Sequence, residues 1–286
     1  MKTTTSVPGV TAPSQFLKTI KAVSPRHRAF ENFCNFVEAA YCSYAKPMAR
    51  SERDAGALEK RYMNVVAHYR DEPLAMHRMS EALAELFLCV PSHHGDFLGE
   101  TYMLGDFNNK HLDQFFTPYE ICKLQAAMTI GSGNDLERIV AERGYVRILD
   151  PACGSGGQII AAADYIRSRG LDPHRNMFAT LIDIDPLCMA MSFLQMTFLD
   201  IPAVVLLGNS IKQEYREIAY TAAGLKVLSN EPVPTAETET SATNGVVLRE
   251  PKATIVEAPR STAKEERPAT ARVREPAPVF EQQSLF

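Results

Sequence analysis

Strand-like and helix-like runs alternate between residues 114 and 210, and this alternation limits the possible folds more than any other feature. The runs comprise three predicted buried strands and two predicted helices, at 145–150, 178–183 and 203–207 for the strands and at 157–168 and 186–199 for the helices. Strands that alternate with helices are joined by right-handed crossovers and form a parallel sheet. We therefore predict an α/β fold for this segment.

A glycine-rich loop, Asp150-Pro-Ala-Cys-Gly-Ser-Gly-Gly157, connects the first strand to the first helix. Glycine permits a sharp turn and lets a ligand approach the backbone amides at a helix N-terminus. No Gly-Lys-Ser/Thr follows, which excludes a phosphate-binding P-loop. A dinucleotide remains the main competitor, but an acid directly before the loop would repel its pyrophosphate. That acid suits a cation such as the sulfonium and ammonium groups of S-adenosylmethionine. Asp183, at the end of the next strand, is placed to accept both ribose hydroxyls.

The flanking regions differ in pattern. Residues 1–25 are rich in Thr, Pro and Ser, and we predict a mobile N-terminus. In 26–112 apolar residues recur every three or four positions, which predicts a helical domain before a ligand-binding core at 113–230. In 231–286 Pro, Thr, Ala, Glu and Arg dominate without apolar periodicity, which predicts a disordered tail.

Charge and cysteine content narrow the function classes. The formal net charge is -4, whereas a protein that holds DNA by many phosphate contacts usually has a basic surplus. Any hold on DNA must therefore be local or supplied by a partner. The six cysteines are scattered without a Cys-x-x-Cys pair, and the sequence shows neither a signal-peptide pattern nor a membrane-spanning run. These features predict a cytoplasmic protein with reduced thiols.

Five segments together resemble the N6-adenine DNA methylases of the type I restriction-modification kind. They are Asp96-Phe-Leu-Gly-Glu-x-Tyr102, Gln114-Phe-Phe-Thr-Pro118, Asp150-Pro-Ala-Cys-Gly-Ser-Gly-Gly157, Asp183-Ile-Asp-Pro186 and Gly208-Asn-Ser210. The resemblance implies a truncated Rossmann-like methyltransferase sheet, with three or four recognisable parallel strands preceded by a helical region. It also implies S-adenosylmethionine as the cofactor and DNA as the substrate.

The resemblance assigns a role to each matching position. The methionine end of the cofactor would be lined by Phe116, Thr117 and Pro118. Its amino-acid part would meet Asp150, Ala152, Gly154 and Gly156, its ribose Asp183, and its adenine ring Asn209, where the family usually has an Asp.

One family motif is missing. Transfer to an exocyclic amine needs a side-chain acceptor, a backbone carbonyl and a stacking ring, because the nitrogen lone pair is delocalised into the base. The family supplies these groups as Asn/Asp-Pro-Pro-Tyr/Phe after the fourth strand, and this sequence has no such tetrad. The nearest candidate is a strand-like run at 224–233, in which Asn230 would be the catalytic acceptor. The competing interpretation is that 229–234 only begins the tail.

These observations predict an S-adenosylmethionine-dependent adenine-N6 DNA methyltransferase, or a minimal relative of one. The alternative is a catalytically inactive accessory protein that binds S-adenosylmethionine or associates with DNA. A sheet of three or four strands leaves an edge that must be covered. The helical region, self-association or a second subunit could cover it, and the sequence leaves these three alternatives open.

Three other residues suggest chemistry that we do not predict. The neighbouring His93 and His94 point in different directions on any regular element and have no ligand cluster around them in the sequence, so we predict no metal site. Cys153, inside the glycine loop, is interpreted as a packing residue.

The last five residues, Gln282-Gln-Ser-Leu-Phe286, resemble the pentapeptide by which many bacterial proteins bind the replication sliding clamp. By that resemblance Gln282 would anchor the peptide by hydrogen bonds, and Leu285 and Phe286 would fill an apolar pocket. The alternative is a chance match or docking onto the protein's own core.

Overall fold

The structure is a computed structural model that describes residues 11–107, 115–131 and 134–230. The helices of these residues are α1 (Pro13–Val23), α2 (Ala29–Ala45), α3 (Glu52–His68), α4 (Pro73–Ser92), α5 (Phe97–Leu104), α6 (Tyr119–Ile130), α7 (Asp135–Arg143), α8 (Gly157–Ser168), α9 (Pro173–Asn176), α10 (Pro186–Phe198) and α11 (Ala222–Asn230), with a 3-10 helix at Lys46–Met48. The strands are β1 (Val146–Asp150), β2 (Met177–Asp183), β3 (Ala203–Asn209) and β4 (Glu214–Tyr220).

The four strands form one sheet in the order β1-β2-β3-β4. The pairs β1–β2 and β2–β3 are parallel, with α8 and α10 as their crossovers, so the predicted α/β fold with a mostly parallel sheet is confirmed. The pair β3–β4 is antiparallel and joined by a short turn. In that turn the Asn209 side chain accepts the N–H groups of Ile211 and Lys212, and Gln213 has a positive φ of 56°.

The strand-like run predicted at 224–233 is wrong, because Ala222–Asn230 form α11. The fourth strand comes earlier, at Glu214–Tyr220, where exposed charged residues hide the strand pattern. Contacts with the helical layer hold it in place. The Glu217 carboxylate accepts the Arg61 guanidinium at 2.7 and 2.8 Å and the Tyr41 hydroxyl at 2.6 Å. Arg61 also binds Glu38, at 2.6 and 3.0 Å, so one guanidinium ties β4 to α2.

The predicted mobile N-terminus is wrong over residues 13–23, which form α1. Pro13 occupies the first turn, where its missing N–H costs nothing. The apolar residues of α1 are fully or almost fully buried: Phe16, Leu17, Ile20 and Val23. These four residues recur at helical spacing, but most residues around them are polar. The prediction of a mobile N-terminus relied on that composition and missed the spacing.

The helices and the sheet share one hydrophobic core. Helix α10 lies between the sheet and α2, where the Tyr41 and Phe193 rings meet edge to face at 5.2 Å. All described residues belong to one compact unit, so the boundary predicted near residue 112 separates two layers and not two independent cores. No helix in the described ranges combines the length and apolar character needed to cross a membrane.

Candidate cofactor site

The carboxyl ends of the three parallel strands place Asp150, Asp183 and Asn209 along one edge of the sheet. The glycine loop folds back over β2 at this edge. The Cys153 N–H donates to the Ile182 carbonyl at 2.9 Å, and the Gly154 N–H donates to the Asp183 carboxylate at 2.8 Å. The loop and both predicted acids therefore lie together.

Two features require glycine at position 154. Its φ is 52°, and a Cβ at this position would lie 3.0 Å from the ring of Phe116. Phe116 thus packs directly on the loop, with its other side near the Tyr102 ring at 5.0 Å. Gly156 has a φ of 97° and lies beneath the loop against Ser192 and Met196 of α10, with its N–H donated to Cys153. Gly156 therefore packs against α10, whereas Gly154 packs against Phe116.

Asp183 is a rigid, buried acceptor. One carboxylate oxygen accepts the Gly154 N–H at 2.8 Å and the other accepts the Asp185 N–H at 2.9 Å. Burial raises the pKa of Asp183, while these two N–H donors oppose the rise. Each carboxylate oxygen has a second lone pair, so the group can still accept hydroxyls from a ligand.

Asp150 is half-buried, and its carboxylate accepts the Ala152 N–H at 3.2 Å. Burial raises the pKa of Asp150, and the neighbouring Asp183 carboxylate raises it further. Within the described ranges no Lys, Arg or His forms an ion pair with either acid. Two close carboxylates without a cation create a negative potential that favours a cationic ligand.

Thr117 and Pro118 lead from Phe116 into α6 and are exposed, as is Ala152 across the loop. Pro118 is the N-cap residue of α6, and no side chain caps the helix. The Thr117 carbonyl instead accepts a weak hydrogen bond from the Cys122 thiol, at 3.6 Å.

Asn209 is the last residue of β3, two residues beyond the predicted strand end, and its side-chain oxygen is engaged. It accepts the N–H groups of Ile211 and Lys212, both at 3.0 Å. Only the amide NH₂ of Asn209 is left for a ligand, so it would donate and not accept.

The catalytic role predicted for Asn230 assumed a strand-like run at 224–233, and residues 222–230 are helical instead. Helix α11 begins beside Ala203, where a Cβ on Gly224 would lie 2.4 Å from the Ala203 carbonyl oxygen. Ala203 is at the amino end of β3, opposite to the cofactor edge. The Asn230 side chain and residues 231–286, including Gln282, Leu285 and Phe286, lie outside the described parts. The roles assigned to them stay predictions.

Asp96 contacts the glycine loop, a contact that the sequence did not reveal. Its buried carboxylate accepts the Ser155 hydroxyl of the glycine loop, the Gly99 N–H at 2.9 Å and the Gln195 amide at 2.7 Å. The Gln195 amide also donates to the Ser155 carbonyl at 2.7 Å. This Asp96 network fixes the glycine loop to α5 and α10. Ser155 and Gln195 are 59 and 99 residues from Asp96, so the family-like segment Asp96–Tyr102 did not indicate these two contacts.

Two residues excluded from chemistry by the sequence lie in packed surroundings. Cys153 is buried against Ser192, with 3.7 Å between the sulfur and the hydroxyl oxygen. Burial raises the pKa of its thiol well above the usual range, which disfavours the nucleophilic thiolate. His93 lies 3.3 Å from the Glu100 carboxylate, and its ring packs edge to face on Phe97.

Residues 93–256 match the sequence profile of the family described as N-6 DNA Methylase. A putative class I S-adenosylmethionine-dependent methyltransferase from Listeria monocytogenes is a similar solved structure, at 14% identity over 70% of this chain and 54% of that one, with a TM-score of 0.39. The methyltransferase subunit of a type I restriction-modification system from Streptococcus thermophilus is another, at 14% identity over 67% and 57%, with a TM-score of 0.33. The chain thus spans little more than half the length of these two proteins. No curated protein matches it.

S-adenosylmethionine, the cofactor that the two acids and the glycine loop favour, is consistent with that family match. Since the profile covers more than half of the chain, the protein belongs to the N-6 DNA methylase family.

Proposed function

We propose that this protein is an S-adenosylmethionine-dependent DNA methyltransferase that modifies the N6 amine of adenine. The observation that carries the proposal is the pair Asp150 and Asp183 beside the glycine loop. The Asp183 carboxylate lies close enough to raise the pKa of Asp150, and no described basic side chain forms an ion pair with either acid. A ligand with a sulfonium and an ammonium group supplies the missing positive charge.

In this proposal, each residue of the site binds a different part of the cofactor. Asp183, which is held by two N–H donors, would accept the ribose hydroxyls, and Asp150 would face the cationic end of the ligand. Phe116, packed on Gly154, and the following Thr117 and Pro118 form the wall at the methionine end. Asn209 offers its NH₂ group to a ring nitrogen of the adenine. S-adenosylmethionine supplies the methyl group to be transferred.

In this proposal, a partner supplies the part of the site that holds the adenine to be methylated. Ligands of open α/β sheets bind outside the carboxyl ends of the strands, at the point where the strand order reverses. Within the described residues β1 is one of the two edge strands of the sheet, and no strand pairs with its outer side. A strand added there would end beside Asp150. We propose that a second copy of the chain completes the sheet, and that this assembly holds DNA despite the net charge of -4.

Methyl transfer tests the proposal directly. The purified full chain is incubated with tritiated S-adenosylmethionine and unmethylated bacterial DNA, and the labelled nucleoside is identified after digestion. We expect label in N6-methyladenine, and about 10- to 150-fold slower labelling with Asp183→Ala at cofactor concentrations well below saturation. Asp172→Ala is the matched control, because this carboxylate caps α9 before the amino end of β2 and is remote from the loop. Label in cytosine would refute adenine specificity, and cofactor binding without any transfer would contradict the proposal.

Affinity for S-adenosylmethionine should depend on pH through the two acids. Their pKa values are raised in the free protein, and a bound cation favours their ionised forms. The affinity should therefore be full above the raised pKa values and fall as the pH drops through them. Calorimetric titration between about pH 4 and pH 8 measures this dependence. S-adenosylhomocysteine, which lacks the sulfonium charge, should show a shallower fall. Equal slopes for the two ligands would contradict the charge argument.

A further inference from the structure

Two histidines and a glutamate converge at one corner of the helical layer, remote in sequence from the glycine loop. His27 lies in the turn before α2, Glu31 in the first turn of α2, and His68 at the end of α3. The Glu31 carboxylate oxygen is 3.3 Å from Nδ1 of His27 and 3.1 Å from Nε2 of His68. One ligand atom from each residue lies within 4.8 Å of the other two.

These distances fit a tetrahedral metal ion. Zn²⁺ binds imidazole nitrogen and carboxylate oxygen at about 2.0–2.1 Å, so neighbouring ligand atoms of a tetrahedron are separated by about 3.3 Å. The two separations from the Glu31 oxygen already have this length. The side chains of His27, Glu31 and His68 are 23%, 35% and 37% exposed, so an ion can reach them. Three protein ligands leave a fourth position for water.

The corner also has an outer layer that orients the ligands. The other ring nitrogen of His27, Nε2, lies 3.6 Å from the Glu72 carboxylate. Glu72 is held in turn by the buried Ser24 hydroxyl, which is 2.8 Å from both of its oxygens. A carboxylate on one nitrogen of an imidazole fixes the tautomer that leaves the other nitrogen free for a metal. Glu72 therefore lies on the Nε2 side of His27, while Nδ1 faces Glu31.

Tyr69 makes the arrangement rigid. Its buried ring packs edge to face on both imidazoles, with centroids 5.1 Å from His27 and 4.9 Å from His68. Its hydroxyl donates to Asn32 at 3.0 Å and accepts from Asn35 at 3.1 Å. The two imidazoles, whose ring centroids are 4.5 Å apart, are thus packed against the core as well as against each other.

We propose that His27, Glu31 and His68 bind one divalent transition-metal ion, Zn²⁺ in the first instance, with Glu72 as the positioning carboxylate of His27. The ion would fasten the turn before α2 to the end of α3. This proposal is independent of the methyltransferase function. The competing explanation is a set of plain histidine–glutamate ion pairs, which would need no metal.

Calorimetric titration of the chelator-treated full chain with Zn²⁺ tests the proposal. We expect one saturable equivalent in the wild type and a higher melting temperature on binding. His68→Ala and the nearly isosteric Glu31→Gln should abolish the saturable binding. Glu72→Gln should weaken the affinity about 10- to 100-fold, as loss of an orienting carboxylate does in other metal sites. Circular dichroism of each variant shows whether the fold is retained.

The matched control is His77→Ala. His77 pairs with Glu81 at 3.4 Å on the exposed surface of α4, without a second histidine. This variant should bind Zn²⁺ as the wild type does. Co²⁺ should give the intense visible absorption of a four-coordinate ion in the wild type and in His77→Ala, and not in Glu31→Gln. Absence of saturable Zn²⁺ binding in the wild type would overturn the proposal, and so would unchanged binding in a folded Glu31→Gln variant.

Discussion

Asp183→Ala is expected to lower the affinity for S-adenosylmethionine about 10- to 150-fold. Hydrogen bonds to a charged group contribute about 1.5–3 kcal/mol, which corresponds to that range. The structure adds a second reason for a large effect. The same carboxylate accepts the Gly154 N–H at 2.8 Å, so its removal also releases the glycine loop from the end of β2.

Calorimetric titration of Asp183→Ala and Asp183→Asn with S-adenosylmethionine separates these two contributions. The asparagine keeps one acceptor oxygen and loses the charge, so its affinity should lie between those of the wild type and the alanine variant. Asp172→Ala removes a carboxylate from before the amino end of the same strand and should bind like the wild type. Wild-type affinity in Asp183→Ala would place the ribose elsewhere.

The parallel part of the sheet and the cofactor edge were predictable because their signals are local. The runs at 145–150, 178–183 and 203–207 are apolar and bounded by turn residues, and they became β1, β2 and β3. The position of an acid at a strand end follows from the strand itself. Once the strands are parallel, Asp150 and Asp183 must meet at one edge.

The elements that sequence reasoning missed depend on contacts between distant residues. Strand β4 alternates charged and partly buried residues. The carboxylate of its Glu217 pairs with Arg61, 156 residues earlier. The helical spacing of α1 is short and lies inside a polar composition. The histidines of the proposed metal site are separated by the whole of α2 and α3, and only the packing of those helices brings them together.

Asp96→Ala is expected to destabilise the fold by about 3 kcal/mol or more, the largest effect on stability that we predict. The carboxylate accepts three buried donors, from Ser155, Gly99 and Gln195. Each buried donor left without an acceptor costs about 1–3 kcal/mol. Asp96 is also the N-cap residue of α5, and loss of a cap alone costs about 1 kcal/mol.

Urea unfolding of two further variants separates the network from the cap. Ser51→Ala removes an exposed N-cap, that of α3, and should cost only the capping contribution. Asp96→Asn retains one acceptor oxygen for the donors and loses the charge. Its loss of stability should therefore be smaller than that of Asp96→Ala. If Asp96→Ala costs no more than Ser51→Ala, the network does not stabilise the glycine loop. If it costs more, and cofactor affinity falls with it, the loop geometry depends on a residue far from the loop in the sequence.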